Sequence, residues 1–346
     1  MKKISKNIFI ATGIYPPEIG GQAEYAKNLK EVWEKDGYTV SVGVFSKYSN
    51  IPSGIRHIIY TFYILPEILR TDYIFVIDTF SAALPAIFLA WIFGKKTVLR
   101  TGGDFLWEAY IERTDEKVTL SDFYRTKTTN FNFKERVLFN LIRWLFRHTD
   151  TIIWSTEWQK NIFIESYGLQ NKNHKIVENY YGPQTNVSEF DSKNFIASGR
   201  PSKIKNMDIL QDIFSRPSVL NLGGKLDTLK VNHQEFLEKV KKSYAVILVS
   251  LSDISPNVIL DSIRFGKPFI VTKEVGIYER IRGIALFVDP LNREELEQKV
   301  LWLLDDKNYQ EQKNKILGFN FTHTWEEIAF EYMMAYHSDD VTNKIE

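Results

Sequence analysis

The stretch that decides the fold is "AVILVSLSDISPNVILDSIRFGKPFIVTK", residues 245–273. Its opening run, AVILVS, is short, apolar and β-branched, and reads as a buried strand. Then the period changes. Ser255 is a good helix N-cap, Pro256 suits the first helical position, and Val258, Ile259, Ile263 and Phe265 recur at helical spacing until Gly266 and Pro268 stop the helix. On that geometry Asp253 lies in the loop at the carboxyl end of the strand, while Asn257 and Asp261 share one helical face, one turn apart. Unpaired N–H groups at the helix start point between them and, with the helix dipole, favour an anion. The arrangement therefore suits a ligand with a phosphate on the helix start and hydroxyls at either side. Taken alone, the same residues also read as a loop charge and a solvated helix carboxylate.

The alternation of this stretch runs the length of the chain. Toward the N-terminus come NIFIATG, a helix around 22–36, TVSVGVF, a helix near 61–70, YIFVID, a helix near 82–93 and KTVLRTG, then a helix at 133–148, TIIWST, another helix and HKIVENYYG. The polar stretch PQTNVSEFDSKN (183–194) is rich in turn formers and without periodicity, and is the best linker. A second series follows: FIASG, helix 207–214, SVLNLGG, TLKVN, helix 233–242, AVILVS, helix 256–265, FIVTK, a short helix near 277–282, ALFVD and helix 293–304. This rhythm predicts an α/β protein of two doubly wound parallel-sheet domains, 1–182 and 195–320, facing a central cleft. Ligands of open sheets bind outside the carboxyl ends of the strands, so both halves offer their loops to that cleft.

Composition narrows the function classes. The chain has 346 residues, enough for two cores, and 44 Lys plus Arg against 43 Asp plus Glu, a net charge of +1 that gives no footing for bulk nucleic-acid binding. Without cysteine there is neither a disulfide framework nor a thiolate metal site. No Asp-x-Asp occurs, and the six histidines form no close pair at ligand spacing, so no metal site is expected. The longest apolar run, AALPAIFLAWIF (82–93), is too short to span a bilayer, and MKKISKNIFIATG reads as a first strand, so a cytoplasmic protein is expected. The helix FKERVLFNLIRWLFRH (133–148) has two readings: a core-facing helix with arginines at its rim, or one that lies on an anionic membrane at the inner face.

Several segments together resemble the retaining nucleotide-sugar glycosyltransferases of family 4, which have the two-domain GT-B fold. They are GIYPPEIGGQAEYAKNLKEVWEKDGYTVSV (13–42), SGRPSKIKNMDIL (198–210), and SDISPNVILDSIRFGKPFIVTKEVGIYERI followed by ALFVDPLNREELEQKVLWLLDD. The resemblance implies that Arg200 and Lys205, around one strand-to-helix loop, bind the donor diphosphate. Positive groups there meet the charge that develops when the sugar leaves. Gly20 and Gly21 precede a helix, where bare backbone lets a phosphate or sugar approach closely. The resemblance further implies that Ser255, Pro256, Asn257 and Val258 form a donor-binding turn, with the N–H groups near Asn257 and Val258 cradling the distal phosphate. The family has an acidic residue, usually Glu, at each position matching Asp253 and Asp261, the first contacting hydroxyls of the transferred sugar and the second the nucleotide ribose. Both are one methylene shorter here.

Two more departures concern the acceptor and the base. Where the family often has a His-Gly or His-Asp pair after the fourth strand, this chain reads LRTGGDFLWE (99–108), with Gly102 at the His position. Asp104 and Glu108 are the residues left to bind the acceptor or accept its proton, or else simply cap a helix. Only about twenty residues separate LNLGG from YAVILVS, where the family carries part of its base-binding wall. In FTHTWEEIAFEYMMAYH (321–337), Trp325, Ile328, Ala329, Tyr332 and Met333 form one helical stripe, which in this family crosses back onto the first domain.

The expected activity is metal-independent, cofactor-free, retaining transfer from a nucleoside diphosphate sugar to a hydroxyl of a glycan or lipid-linked acceptor. The first alternative is a catalytically inactive GT-B-like binding partner of another transferase. The second, a dehydrogenase, is disfavoured because TGIYPPEIGG lacks the Gly-x-Gly-x-x-Gly order.

Overall fold

Strands of three to six residues alternate with helices, and every strand pairing between named strands is parallel. The computed structural model describes residues 6–185, 189–190, 192–198, 202–229 and 233–342. In chain order the elements are β1 (Asn7–Thr12), α1 (Gly21–Lys35), β2 (Thr39–Val44), α2 (Ile55–Arg70), β3 (Tyr73–Ile77), α3 (Ala83–Ile92), β4 (Thr97–Thr101), α4 (Phe105–Thr114), α5 (Leu120–Thr126), α6 (Phe133–His148), β5 (Thr151–Trp154), α7 (Glu157–Tyr167) and β6 (Asn173–Ile176). There follow β7 (Asn194–Ser198), α8 (Met207–Ser215), α9 (Pro217–Leu220), β8 (Lys225–Leu229), α10 (His233–Lys242), β9 (Ala245–Leu248), α11 (Asn257–Arg264), β10 (Phe269–Thr272), α12 (Tyr278–Ile281), β11 (Leu286–Val288), α13 (Arg293–Leu304), α14 (Asp306–Leu317) and α15 (Trp325–Thr342).

They form two units. Unit 1 comprises Met1–Leu106, Asn130–Glu178 and Thr324–Glu346; unit 2 comprises Trp107–Thr129 and Asn179–His323. The segment Trp107–Thr129, expected inside the first domain, thus clusters with unit 2. Its hydrogen bonds explain this: Lys117 Nζ donates to Asn206, the Leu120 backbone N–H to Ser252 Oγ and Ser121 Oγ to Glu274 of that unit. Such long-range partners leave no trace in local periodicity.

Unit 1 has the strand order β2-β1-β3-β4-β5-β6. Strands β3, β4 and β5 are buried at every residue, as continuous apolar runs with helices on both faces require. Helix α1 packs with α15, while α2, α3 and α6 form the other layer. On α15, Ile328, Ala329, Tyr332 and Ala335 are buried at helical spacing. Trp33 of α1 stacks on Phe75 of β3 at 4.6 Å, with Tyr332 against both rings, and its Nε1 donates to the Ala329 carbonyl at 3.4 Å. A buried aromatic of this kind contributes roughly 2–3 kcal/mol by area alone.

Unit 2 has the order β11-β10-β9-β7-β8. The period of two sorts its strand residues between two cores. Ile196, Val246, Leu248 and Val271 pack with Ile259 and Ile263 of α11 on one face. Phe195, Ala197, Ile247 and Ile270 pack with Ile209 and Ile213 of α8 and Val300 of α13 on the other.

One expected strand is absent. SVLNLGG instead forms α9 and a turn. Pro217 occupies the helix start, where its missing N–H costs nothing, and Gly223 takes φ +79, a left-handed conformation that breaks an extended run. The edge strand is β8 just beyond, KLDTL, polar as an exposed edge demands. Helices α4, α5 and α14 were not foreseen.

Candidate active site

Each sheet reverses its strand order once, and open α/β sheets bind ligands at the carboxyl ends of the strands flanking that reversal. In unit 2 the reversal falls between β7 and β9. Downstream of β7 the described chain resumes at Ser202 and makes a short 3-10 turn, Lys203–Lys205, and the segment after β9 carries Ser252, Asp253 and Ser255. The Leu251 N–H donates to the Ile204 carbonyl at 2.8 Å, stitching the two segments together. Asp253 is fixed from the other side as well. Its N–H donates to the Glu274 carbonyl and its own carbonyl accepts from Gly276, both at 2.9 Å.

These backbone bonds bring two of the sequence candidates together. Lys205 Nζ lies 3.0 Å from Asp253 Oδ2, with both side chains less than a fifth exposed, at 17% and 19%. The Lys205 backbone is set by its neighbour Asn206, whose φ of +53 is left-handed and whose buried amide donates to the carbonyls of Val249 (3.3 Å) and Pro290 (2.6 Å). The Asn206 Oδ1 accepts from Lys117 Nζ at 2.7 Å. Asparagine tolerates that conformation better than other residues with a Cβ, and its side chain here supplies the reason to adopt it. Arg200, the other expected diphosphate ligand, lies outside the described residues.

Helix α11 starts one residue later than expected. Pro256 is the N-cap, extended at φ −74 and ψ 110, and Asn257 is the first helical residue. Ser255 does not cap. Its Oγ is buried without a hydrogen bond among the described residues, and its carbonyl accepts from Asn179 Nδ2 at 3.2 Å. The same amide reaches Asn257 Oδ1 at 3.4 Å. The first bonds back to Pro256 come from Ile259 and Leu260, so the N–H groups of Asn257 and Val258 precede the helical ladder. One turn on, burial pushes the Asp261 carboxyl up to about 7, against the weaker pull of Arg264. The cluster therefore holds a paired cation, a paired carboxylate, a helix start and a carboxyl that titrates near neutrality.

Gly20, Gly21 and Asp104 belong to unit 1, and Glu108 to unit 2. Gly20 is the N-cap of α1, and Gly21 is its first residue. A Cβ at Gly20 would come within 2.7 Å of Ile14 Cδ1, the movable tip of a side chain. Asp104 is only 3% exposed, just before α4, and Glu108 is half-buried in the first turn of that helix. At Gly102 a Cβ would lie 3.3 Å from Arg100 Nη1, a tight contact with a buried guanidinium that stacks on Tyr25 at 3.9 Å and donates to Ser155 at 3.0 Å.

Sequence reading missed several residues at these crevices. In unit 2 they are Lys117, Asn206, Ser252 and Glu274. Burial raises the Glu274 carboxyl, and the bond from Ser121 Oγ at 2.9 Å partly restores it. In unit 1 the reversal lies between β1 and β3, where Asp78 accepts the Ala82 N–H and Gln22 donates to the Ile77 carbonyl. An aspartate directly after an apolar strand was the one available signal. Among the described residues, no three His, Asp or Glu side chains converge as a metal ion would need.

Two Rossmann-like units with these sheet orders define the fold class, and comparisons with known proteins agree. No protein-family model matches the chain. Over 215 residues it is 29% identical to a mannosylfructose-phosphate synthase from Agrobacterium fabrum, a match that takes in 48% of this chain and 47% of that protein. The chain thus spans about half the length of the curated relative it matches. Among solved structures it is similar to a sucrose-phosphate synthase from Thermosynechococcus elongatus, with TM-score 0.66 and 13% identity over 98% of this chain and 100% of that one. It is also similar to HepE of Anabaena in complex with UDP, with TM-score 0.60 and 13% identity over 99% and 100% of the two chains. The chain has the GT-B glycosyltransferase fold.

Proposed function

We propose that this protein transfers a sugar, with retention and without a metal ion, from a nucleoside diphosphate sugar to a hydroxyl of a glycan or lipid-linked acceptor. The observation that carries the reading is the Lys205–Asp253 pair at the strand-order reversal of unit 2, beside the start of α11. The names of the relative, a mannosylfructose-phosphate synthase, and of a structural neighbour solved with UDP support the same chemistry.

In this reading the diphosphate sits over the N–H groups of Asn257 and Val258, with Ser255 and Pro256 shaping the turn. Lys205, joined by Arg200, meets the negative charge that grows on the phosphate oxygens as the glycosidic bond breaks, in place of a divalent cation. Asp253, already oriented by its backbone bonds, accepts from hydroxyls of the departing sugar. Asp261 accepts from the ribose, which favours its ionised form. Gly20 and Gly21 leave backbone open to the donor. Asp104 and Glu108 are the carboxylates nearest in sequence to the missing histidine, and are assigned to binding the acceptor hydroxyl. The incoming hydroxyl attacks the face the phosphate leaves, with a phosphate oxygen taking its proton.

The deciding experiment incubates the protein with UDP-, GDP-, ADP- and TDP-sugars in chelator, with glycan and lipid-linked acceptors, and follows release of the nucleoside diphosphate. Release that disappears in Lys205→Ala supports the reading; no release from any donor overturns it. The glycine at 102, where the resemblance leads one to expect a histidine, motivates one competitor, a GT-B-like protein that binds but does not turn over. That competitor expects donor binding by calorimetry with no product.

A further inference from the structure

A surface helix ordinarily turns a polar face to water. Helix α2 does not. Its inward side buries Tyr60, Ile64 and Ile68, while Ile55, Ile58, Ile59, Phe62, Tyr63 and Leu69 recur along its outward side, with Phe62 70% exposed. The neighbouring helix α3 continues the surface with Phe88, Trp91, Ile92 and Phe93, and Trp91 is 55% exposed. Trp91 meets Trp144 of α6 edge-on at 5.9 Å and His148 at 5.5 Å, which joins the third helix to the same face. Phe133, at the start of α6, is 81% exposed. Isolated apolar side chains on a surface call for no explanation, but a layer of three adjacent helices that all present them does.

Charge selects what covers this layer. The three helices and the turn after α3, spanning 55–70, 83–96 and 133–148, carry eight lysines and arginines against two glutamates, in a chain whose net charge is +1. One of the two, Glu135, is buried in the capping box of α6 with Asn132. Cations also gather at one end of the layer. Lys95 Nζ donates to the Thr71 carbonyl at 3.0 Å, beside the exposed Arg70 that ends α2. A second copy of the chain meeting this face symmetrically would set cation against cation. A surface with an apolar interior and an anionic boundary satisfies both features at once.

We propose that the α2–α3–α6 layer of unit 1 is a docking face for an anionic phospholipid membrane. The aromatic and aliphatic side chains enter the headgroup and acyl boundary, and the surrounding lysines and arginines pair with lipid phosphates. Among the described residues no helix is long and apolar enough to cross a membrane, so the attachment is to one leaflet. The inference does not depend on the transferase reading.

Co-sedimentation of the full chain with phosphatidylcholine vesicles, with and without phosphatidylglycerol, tests it. The protein should pellet with the anionic vesicles and leave them as salt rises. Phe62→Ser combined with Trp91→Ser should weaken that binding roughly tenfold or more, and Arg70→Glu or Lys134→Glu roughly fivefold each at low salt. All four side chains are exposed, so the variants should melt with the parent protein. The charge reversals repeat the test without touching an apolar residue. Failure to bind either vesicle, or equal binding to neutral ones, overturns the proposal. So does a dimer, seen by sedimentation, that Phe62→Ser and Trp91→Ser dissolve without any lipid binding, since it gives the face to a second copy.

Discussion

The two sheets reverse their strand order in the same way, between β1 and β3 in unit 1 and between β7 and β9 in unit 2, yet the crevices differ in chemistry. In unit 1 the polar side chains turn inward onto the backbone. Asp78 serves the start of α3, Gln22 bonds the end of β3, and burial raises the Asp78 carboxyl. In unit 2 an ion pair stands at the reversal, and a carboxyl that titrates near 7 lies one turn into the next helix. Equal topology therefore supplies two crevices, and the side chains in their loops make them chemically different. For Asp261, whose carboxyl burial pushes up to about 7, removal from water opposes the charged form.

Substitution at the two crevices should separate them. The largest effect is expected for Lys205→Ala, which removes a cation from the proposed leaving group. Activity measured as nucleoside diphosphate release should fall about 10²–10³-fold in kcat/KM. Asp78→Asn, its counterpart in unit 1, should shift the unfolding midpoint while turnover is unchanged. A parallel loss of turnover in Asp78→Asn would erase the distinction.

Next in size is Asn206→Ala. Two carbonyls and the Lys117 ammonium lose a buried partner while the backbone keeps a left-handed φ. Denaturant titration should show a loss of about 2–4 kcal/mol. An unchanged midpoint would mean that Lys205 is positioned by something else.

Asp261→Asn should move stability and function in opposite directions. Its folded-state value, near 7, lies above the ordinary 3.8, so between those values the native protein holds a proton that the unfolded chain has released. The group therefore opposes folding increasingly as pH rises through that window, and fully above it. The amide should raise stability at pH 8 by about 1–3 kcal/mol, a discounted form of the full shift, and leave it unchanged below pH 4. Donor affinity by calorimetry should drop in the same variant. Loss of affinity with no gain in stability would argue against a buried acid.

The smallest expected effect is the parent protein's own pH dependence. If ribose hydroxyls donate to ionised Asp261, donor affinity should fall below pH 7 by at most about tenfold per unit, and Asp261→Asn should flatten the profile. A profile indifferent to that substitution would place the titrating group elsewhere.

Much of the fold was readable in the sequence because parallel strands buried on both faces leave runs such as AVILVS and YIFVI, and because helix ends carry local signals. Helices α10 and α13 have the predicted bounds. Where reading failed, a local signal was outweighed or absent. SVLNLGG looks like a strand until Pro217 and the left-handed Gly223 are given their conformations. Ser255 has the right chemistry for a cap, but Asn179, distant in sequence, bonds its carbonyl and Pro256 takes the position.

The candidate site divides along the same line. Asp253 and Asp261 could be named from the strand, loop and helix-start signals around them, which are contiguous in the chain, and Lys205 from the family resemblance. Their partners could not. Nothing near Asn206 announces that it reaches Val249 and Pro290, or that Lys117 and Ser121 would arrive from a segment about ninety or more residues away. The sequence by itself determined most of the elements, their parallel pairing and the residue types at the loop ends, since those depend on hydrophobic period and local backbone preference. Strand order, the ion pair at its reversal and the lifted Asp261 carboxyl were decided only by tertiary structure, since adjacency across a sheet and removal from water belong to the packed chain.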